Sequence, residues 1–336
     1  MRILMILAAL LGAAPAFAAT VPNFTGAYTG LIGDLTVSDP KKAGNLMANT
    51  VVVINGRLVT LPRGTAAFDI SFVHAGETRR FLVVRPEPAN SGAAGVFVLH
   101  GTGGTPEAQF NLTIIGANVV ANGFWAILPE AADGGWNDDP GYSNGNDDVG
   151  FNAKIIDIAT GYLGLDADRL YFSGLSDGAF MVERLGCELS DRVAAVALIA
   201  GTISTGLSQA CAPATPRSII LVNGTADPIV PYNGGRVGVQ SAPVTWSFWL
   251  GRHNCNAAST VSTAMPDTAA DGTTTTLQRN IGCGSGGEVR QYIVNNGGHT
   301  WPGGRQYLSE STIGKTSQDF SINAEMWNFF VAHPRQ

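Results

Sequence analysis

Six short apolar runs without polar alternation mark the middle and end of the chain, at residues 96–99, 124–128, 170–172, 193–199, 219–222 and 289–294. Such runs are what strands buried on both faces of a sheet look like. Between most of them lie amphipathic stretches of helical length, at 106–121, 149–163 and 178–189, and a last helix is predicted at 318–331. The alternation of strand and helix predicts an α/β architecture, a mostly parallel central sheet with helices on both faces. Upstream the pattern differs: residues 67–73 and 80–84 flank a polar His74-Ala75-Gly76-Glu77 turn, which predicts an antiparallel N-terminal strand pair. Earlier still, Val51-Val52-Val53-Ile54 runs into Asn55-Gly56, a hairpin signal, and a turn is expected at Pro40-Lys41-Lys42.

The first residues carry a different message. Met1 and Arg2 lead into an apolar run from 3 to 14, and Ala16-Phe17-Ala18 follows as a small-x-small cleavage site. Residues 1–18 are expected to be a secretory signal peptide, 19–63 an extension of unassigned role, and 64–336 a single domain of that α/β architecture. No later stretch approaches the ~20 uninterrupted apolar residues of a membrane span. The expected destination is the periplasm or the extracellular space.

Composition narrows the function classes. At 336 residues and 45% hydrophobic the chain can bury a sizeable core. A net charge of -6 and the lack of any Lys/Arg cluster argue against nucleic acid and against an acidic membrane surface as partners. A charged fraction of 14% with 42 glycines suits an exported, loop-rich enzyme. Four cysteines, Cys187, Cys211, Cys255 and Cys283, form no C-x-x-C pair, so in an oxidising compartment two disulfides are expected rather than four buried thiols. Three connectivities are open. Pairing neighbours in order closes two short loops, each contributing roughly 3 kcal/mol in the chain-entropy treatment.

The most informative segment is Gly174-Leu175-Ser176-Asp177-Gly178, directly after the strand at 170–172 and before a helix. That setting makes G-x-S-x-G a nucleophile elbow, with Ser176 exposed on a strained turn of an α/β-hydrolase fold. A serine hydroxyl needs a base, and in this fold the partners follow in the order Ser, Asp or Glu, His. His299 lies in a glycine-rich loop after the last apolar run, whereas His253 sits in a helix beside Cys255 and His333 in the C-terminal tail. Asp227, in Gly224-Thr225-Ala226-Asp227-Pro228, follows the preceding strand and is the expected acid. The strand at 96–99 empties into His100-Gly101-Thr102-Gly103-Gly104, an HGGG-type oxyanion loop whose donors would be the backbone N–H groups of Thr102 and Asp177. His100 is expected to be a structural hinge of that loop. A phosphate loop is disfavoured because neither a Lys-Ser/Thr nor a G-x-G-x-x-G follows.

Two further features carry weaker expectations. The acidic, glycine-rich stretch 133–148 offers oxygen ligands for Ca²⁺, but its spacing fits a solvated loop in which Asp147 or Asp148 caps the next helix. Trp136 and Trp301 are candidates for a substrate platform, with core packing as the competing account.

In order along the chain, Leu99-His100-Gly101-Thr102-Gly103-Gly104, Gly135-Trp136-Asn137-Asp138, Asp148-Val149-Gly150-Phe151, the Ser176 elbow, Gly224-Thr225-Ala226-Asp227-Pro228-Ile229-Val230-Pro231-Tyr232 and Gly298-His299-Thr300-Trp301-Pro302-Gly303-Gly304 resemble the secreted poly(3-hydroxybutyrate) depolymerase, feruloyl esterase and acetylxylan esterase family. The resemblance runs from about Phe81 to the C-terminus. It implies an ester hydrolase with a Ser, Asp, His triad, and it supports the sequential disulfide pairing. Ala179 and Phe180 depart from the small or Met residues usual after the elbow, and 19–63 has no counterpart. No polymer-binding module follows the catalytic region, so soluble oligomers or small esters are expected over crystalline polymer. The expected protein is a monomer that needs no metal or organic cofactor. The competing readings are a serine peptidase of the same fold and a secreted binding protein without turnover.

Overall fold

Strand formation follows the apolar runs. The computed structural model describes residues 26–28, 33–43, 49–235, 238–284 and 286–335; the expected signal peptide at 1–18 lies outside the described residues. The strands are β1 (Gly26–Tyr28), β2 (Leu35–Val37), β3 (Lys41–Lys42), β4 (Thr50–Ile54), β5 (Arg57–Leu61), β6 (Thr65–His74), β7 (Glu77–Pro86), β8 (Gly95–Leu99), β9 (Trp125–Pro129), β10 (Leu170–Leu175), β11 (Ala195–Ile199), β12 (Ser218–Gly224), β13 (Val261–Ala264), β14 (Thr274–Asn280) and β15 (Val289–Asn295). The helices are α1 (Pro106–Thr113), α2 (Gly116–Asn122), α3 (Asp148–Gly161), α4 (Asp177–Glu188), α5 (Thr205–Ala210), α6 (Ala242–Arg252), α7 (Glu310–Ile313) and α8 (Ile322–Ala332).

Among the described residues a thirteen-stranded sheet runs β1-β2-β6-β7-β9-β8-β10-β11-β12-β15-β14-β13, with β3 also paired to β6. The six strands from β9 to β15 in that order are parallel to one another, and they are the six apolar runs. Antiparallel strands extend both ends, β7 and β6 beyond β9, and β14 and β13 beyond β15.

Alternate side chains of the parallel strands feed two cores. Phe97, Leu99, Phe172 and Leu198 pack against Phe151 and Ile155 of α3 and Val182 and Leu185 of α4. Val96, Val98, Tyr171 and Ala197 face Phe110 of α1, Val119 of α2 and Phe329 and Phe330 of α8. Burying each large apolar side chain contributes on the order of 2 kcal/mol. Phe97 of β8 stacks on Phe172 of β10 at 4.0 Å across neighbouring strands, and Tyr171 of β10 on Phe330 of α8 at 4.7 Å, which joins sheet to helix.

Three differences from the sequence reading have physical reasons. The helix expected at 106–121 is two helices, because Thr113-Ile114-Ile115 is a β-branched run that helices disfavour and Ile114 turns left-handed at φ 57. The turn expected at Pro40-Lys41-Lys42 is instead β3, whose Lys41 and Lys42 pair with Ala67 and Ala66. The described part of 19–63, expected as an extension, supplies β2 and β3 to the sheet, and Val59 and Leu61 to the second core. The hairpin at Asn55-Gly56 forms as expected, with φ 48 and φ 74 joining β4 to β5.

The cysteines pair in sequence order. Cys187–Cys211 links the end of α4 to the residue after α5, and Cys255–Cys283 joins the segment after α6 to the segment after β14. Among the described residues no helix is long and apolar enough to cross a membrane.

Topology then places the chemistry. The chain leaves β8 for β9 on one side and returns to β10 on the other. The carboxyl ends of β8 and β10 therefore flank a switch point, where open α/β sheets form a crevice.

Candidate active site

Ser176 lies between the last residue of β10 and the first of α4, with φ 58 and ψ -123. L-residues avoid that region, so the surrounding packing must hold it there. Gly174 and Gly178 make the turn possible: a Cβ on Gly174 would overlap the Gly178 carbonyl group, and one on Gly178 would lie 2.5 Å from the Leu99 carbonyl oxygen. The Ser176 N–H donates to the Ile199 carbonyl at 2.9 Å, anchoring the elbow to the neighbouring strand.

The loop after β8 comes up beside this serine. A Cβ on Gly101 would lie 3.3 Å from Ser176 Cβ and 3.8 Å from its Oγ. Among the described residues the backbone N–H groups of Thr102 and Asp177 donate to no protein acceptor. That leaves them available to an oxyanion formed next to Ser176.

His100 holds the loop, in keeping with the hinge role expected for it. Its Nδ1 donates to the Gly101 carbonyl at 2.8 Å, and its Nε2 accepts from the Ala131 N–H at 3.1 Å. Burial pushes its pKa down, which suits a neutral ring with one donor and one acceptor. The segment after β9 adds further braces. Gly103 N–H donates to the Gly134 carbonyl at 2.7 Å, and the Trp136 indole donates to the His100 carbonyl at 2.8 Å. The Trp136 N–H in turn donates to Asp177 Oδ2 at 3.1 Å. Sequence reading missed the Asp177 side chain, which shares a residue with the backbone donor and ties the elbow to this brace.

The substrate-platform expectation for both tryptophans is corrected by their burial. Trp136 is 4% exposed and Trp301 0%. Trp136 spends its indole N–H on the oxyanion loop, and Trp301 donates its own to Asn323 Oδ1 at 3.0 Å within the second core. Neither lines the cleft.

His299 and Asp227 meet as expected, although 72 residues separate them. The loop after β15 carries His299 and the loop after β12 carries Asp227; His299 Nδ1 lies 2.8 Å from Asp227 Oδ2, with both side chains nearly fully buried. Asp227 Oδ1 accepts from the Ile229 and Val230 N–H groups, each at 2.8 Å, which fixes the carboxylate plane. Tyr307, absent from the sequence reading, donates its hydroxyl to the His299 carbonyl at 2.9 Å. An aspartate on Nδ1 leaves Nε2 as the basic nitrogen.

Ser176 and His299 open into one cleft of about 650 Å³. Gly101, Thr102, Gly103 and Gly104 form one side, and Leu112, Ile229, Leu308 and Ile313 give it apolar walls, with Arg305 and Gln306 also lining it. The size is that of a site for a small or oligomeric ligand.

Carboxyls line the buried side of the elbow helix. Asp177 is pushed up to about 6, first by burial. Asp138 is pushed up to about 7, by burial and then by Asp177. Glu183 reaches about 8, by burial and then Asp138, with its Oε1 accepting from Trp249 Nε1 at 2.7 Å. Groups raised this way are favoured by the fold in the protonated form, so their stabilisation is complete below the ordinary carboxylate range and lost as pH rises through the folded value. Glu183→Gln is therefore expected to raise Tm over the wild type near pH 8 and to leave it close to wild type near pH 4. Thermal melts across that range check it; a constant difference would remove Glu183 from the pH dependence.

The acidic stretch 133–148 is a structural loop. Asp147 caps α3 by accepting from the Gly150 N–H. Asp148 is buried, paired with Arg79 at 2.7 Å and accepting from the Asn137 N–H at 2.7 Å. Among the described residues no group of three or more His, Cys, Asp or Glu is arranged to hold a metal ion.

No protein-family model matches the chain. It is 28% identical over 274 residues to NocK of Nocardia uniformis subsp. tsuyamanensis, named as an esterase, a match covering 74% of this chain and 78% of that protein. Feruloyl esterase B of Piromyces equi is 31% identical over 163 residues, which is 46% of this chain and 29% of that protein. Among solved structures, an acetyl xylan esterase from Aspergillus awamori has a similar fold, with TM-score 0.50 at 15% identity, covering 66% of this chain and 89% of its own.

Proposed function

We propose that this chain, an α/β hydrolase with sequence relatives named as esterases, is a serine carboxylic-ester hydrolase that works through an acyl-enzyme. The observation that carries the reading is the strained Ser176 opening into the same cleft as a His299 already oriented by buried Asp227. Ser176 Oγ attacks the ester carbonyl carbon while His299 Nε2 takes its proton. The tetrahedral oxyanion is stabilised by the N–H groups of Thr102 and Asp177, a contribution of about 3 kcal/mol per donor. Collapse breaks the carbon–oxygen bond to the alcohol, which leaves with the proton from His299. Water, deprotonated by the same nitrogen, then attacks the acyl carbon, and the acid departs as Ser176 regains its proton. Asp227 holds the imidazole in register and stabilises the imidazolium.

The apolar cleft walls and the relative named feruloyl esterase B support hydroxycinnamoyl esters and oligo(3-hydroxybutyrate)-type esters as the substrate classes. Two disulfides support an exported protein acting in an oxidising compartment. The test combines turnover with covalent capture. Wild-type protein is assayed on p-nitrophenyl butyrate, methyl ferulate, 3-hydroxybutyrate oligomers and a peptide amide, then treated with a fluorophosphonate. Turnover of at least one ester and not of the amide, with inactivation by one probe per chain on Ser176, is the expected result. Labelling at another residue, or no ester turnover at all, would overturn the reading.

A further inference from the structure

One end of the cleft carries a charge that the ester mechanism does not use. Arg305 is exposed on the segment after the His299 loop and lines the cleft where it meets a second depression, lined by Thr60, Pro62 and Phe110. Its N–H donates to the Leu112 carbonyl at 2.9 Å, and its Nε to the Asn111 carbonyl at 3.0 Å. Both bonds tie it to the end of α1. The Nε bond sets the plane of the guanidinium, and among the described residues its two terminal nitrogens have no hydrogen-bond or ion-pair partner. No Asp or Glu lines the cleft, so Arg305 is the fixed charge among its described lining residues, set beside the apolar Leu112, Leu308 and Ile313.

A guanidinium held in plane with a free fork matches a carboxylate in two-point geometry, and a ligand that fills the cleft would displace the water that screens it. We infer that Arg305 binds a free carboxylate carried by the ester substrate, so that the preferred substrates are esters bearing a second, anionic group. The inference rests on the ester-hydrolase reading and sharpens its substrate class. Two kinds of ester meet the requirement: half-esters of dicarboxylic acids, with the charge on the acyl side, and hydroxyacid oligomers ending in a free carboxylate, with the charge on the alcohol side.

Matched pairs distinguish the two. Monoethyl and diethyl esters of a series of straight-chain dicarboxylic acids probe the acyl side; the 3-hydroxybutyrate dimer and its methyl ester probe the alcohol side. For each pair the ratio of kcat/KM, charged over neutral, is measured for wild type, Arg305→Gln and Arg305→Lys. We expect the wild type to favour the charged member of one pair, and Arg305→Gln to lower that ratio about ten- to hundredfold, mostly through KM of the charged ester. Arg305→Lys should recover part of the ratio, because charge survives and the fork does not. Because each ratio is internal to one variant, a partly misfolded preparation does not imitate the result. Ratios that Arg305→Gln leaves unchanged in both pairs would overturn the inference and leave the esterase intact. If the wild type hydrolyses no ester, the parent reading falls and this one falls with it.

Discussion

Ser176→Ala is expected to lower kcat on p-nitrophenyl butyrate by on the order of 10⁶-fold, with the circular dichroism spectrum of the wild type retained. The size follows from how the groups act together. His299 and Asp227 are already bonded at 2.8 Å. The Thr102 and Asp177 N–H groups remain in place without the hydroxyl. What survives in the variant is electrostatic stabilisation and binding, which in serine hydrolases leaves a residual acceleration of roughly 10³ to 10⁴ over water. The side chain removed is small and faces the cleft, so no cavity forms in either core, and alanine inherits the same backbone strain at φ 58. Turnover retained within tenfold of wild type would mean that the nucleophile lies elsewhere.

The second large effect is on folding. Gly178→Ala puts a methyl group 2.5 Å from the Leu99 carbonyl oxygen and 2.6 Å from that of His100. Both belong to the strand end and loop that carry the oxyanion donor, and backbone cannot rotate away as a flexible side chain can. The expected cost exceeds about 3 kcal/mol, read as loss of soluble protein or a Tm lower by roughly 5 °C or more. Gly251→Ala is the matched control: it lies in α6, and a Cβ there would meet nothing within 4 Å. There a gain of up to about 1 kcal/mol is expected from helix propensity. Equal behaviour of the two variants would show that the elbow tolerates a side chain at Gly178.

The parts of the molecule legible in its sequence are those whose physics is local. Strands buried on both faces must be continuously apolar, so the run ending at Leu99 and the run beginning at Leu170 announced themselves. The elbow was legible because its glycines, its serine and its flanking elements are adjacent in the chain. Asp227 and His299 could be found because the fold fixes their order after particular strands. What stayed hidden depends on distant packing. β13 is exposed along its whole length, Val261–Ala264, and β14 is rich in threonine, so neither shows the apolar signal of an interior strand. Trp301 stands close to His299 in sequence and Trp136 in a polar, glycine-rich loop, yet packing buries both. Tyr307 and Arg305 face the cleft only because the chain after His299 folds back across α1, and no spacing rule anticipates that. Asp177 was placed for its backbone N–H alone, since what its carboxylate grips comes from a segment about forty residues earlier.

The oxyanion loop is gripped from several directions at once, by His100, by Gly134 and by Trp136, and none of those residues belongs to the wall a substrate would touch. Chemistry and recognition are thus built on separate parts: the first is seated on strand ends, the second on exposed residues such as Ile229, Arg305 and Leu308. Such a division lets one be altered while the other stays fixed. A lineage carrying this fold can exchange one ester for another by changing a few surface side chains, and a protein engineer who recuts the wall inherits the reaction centre intact.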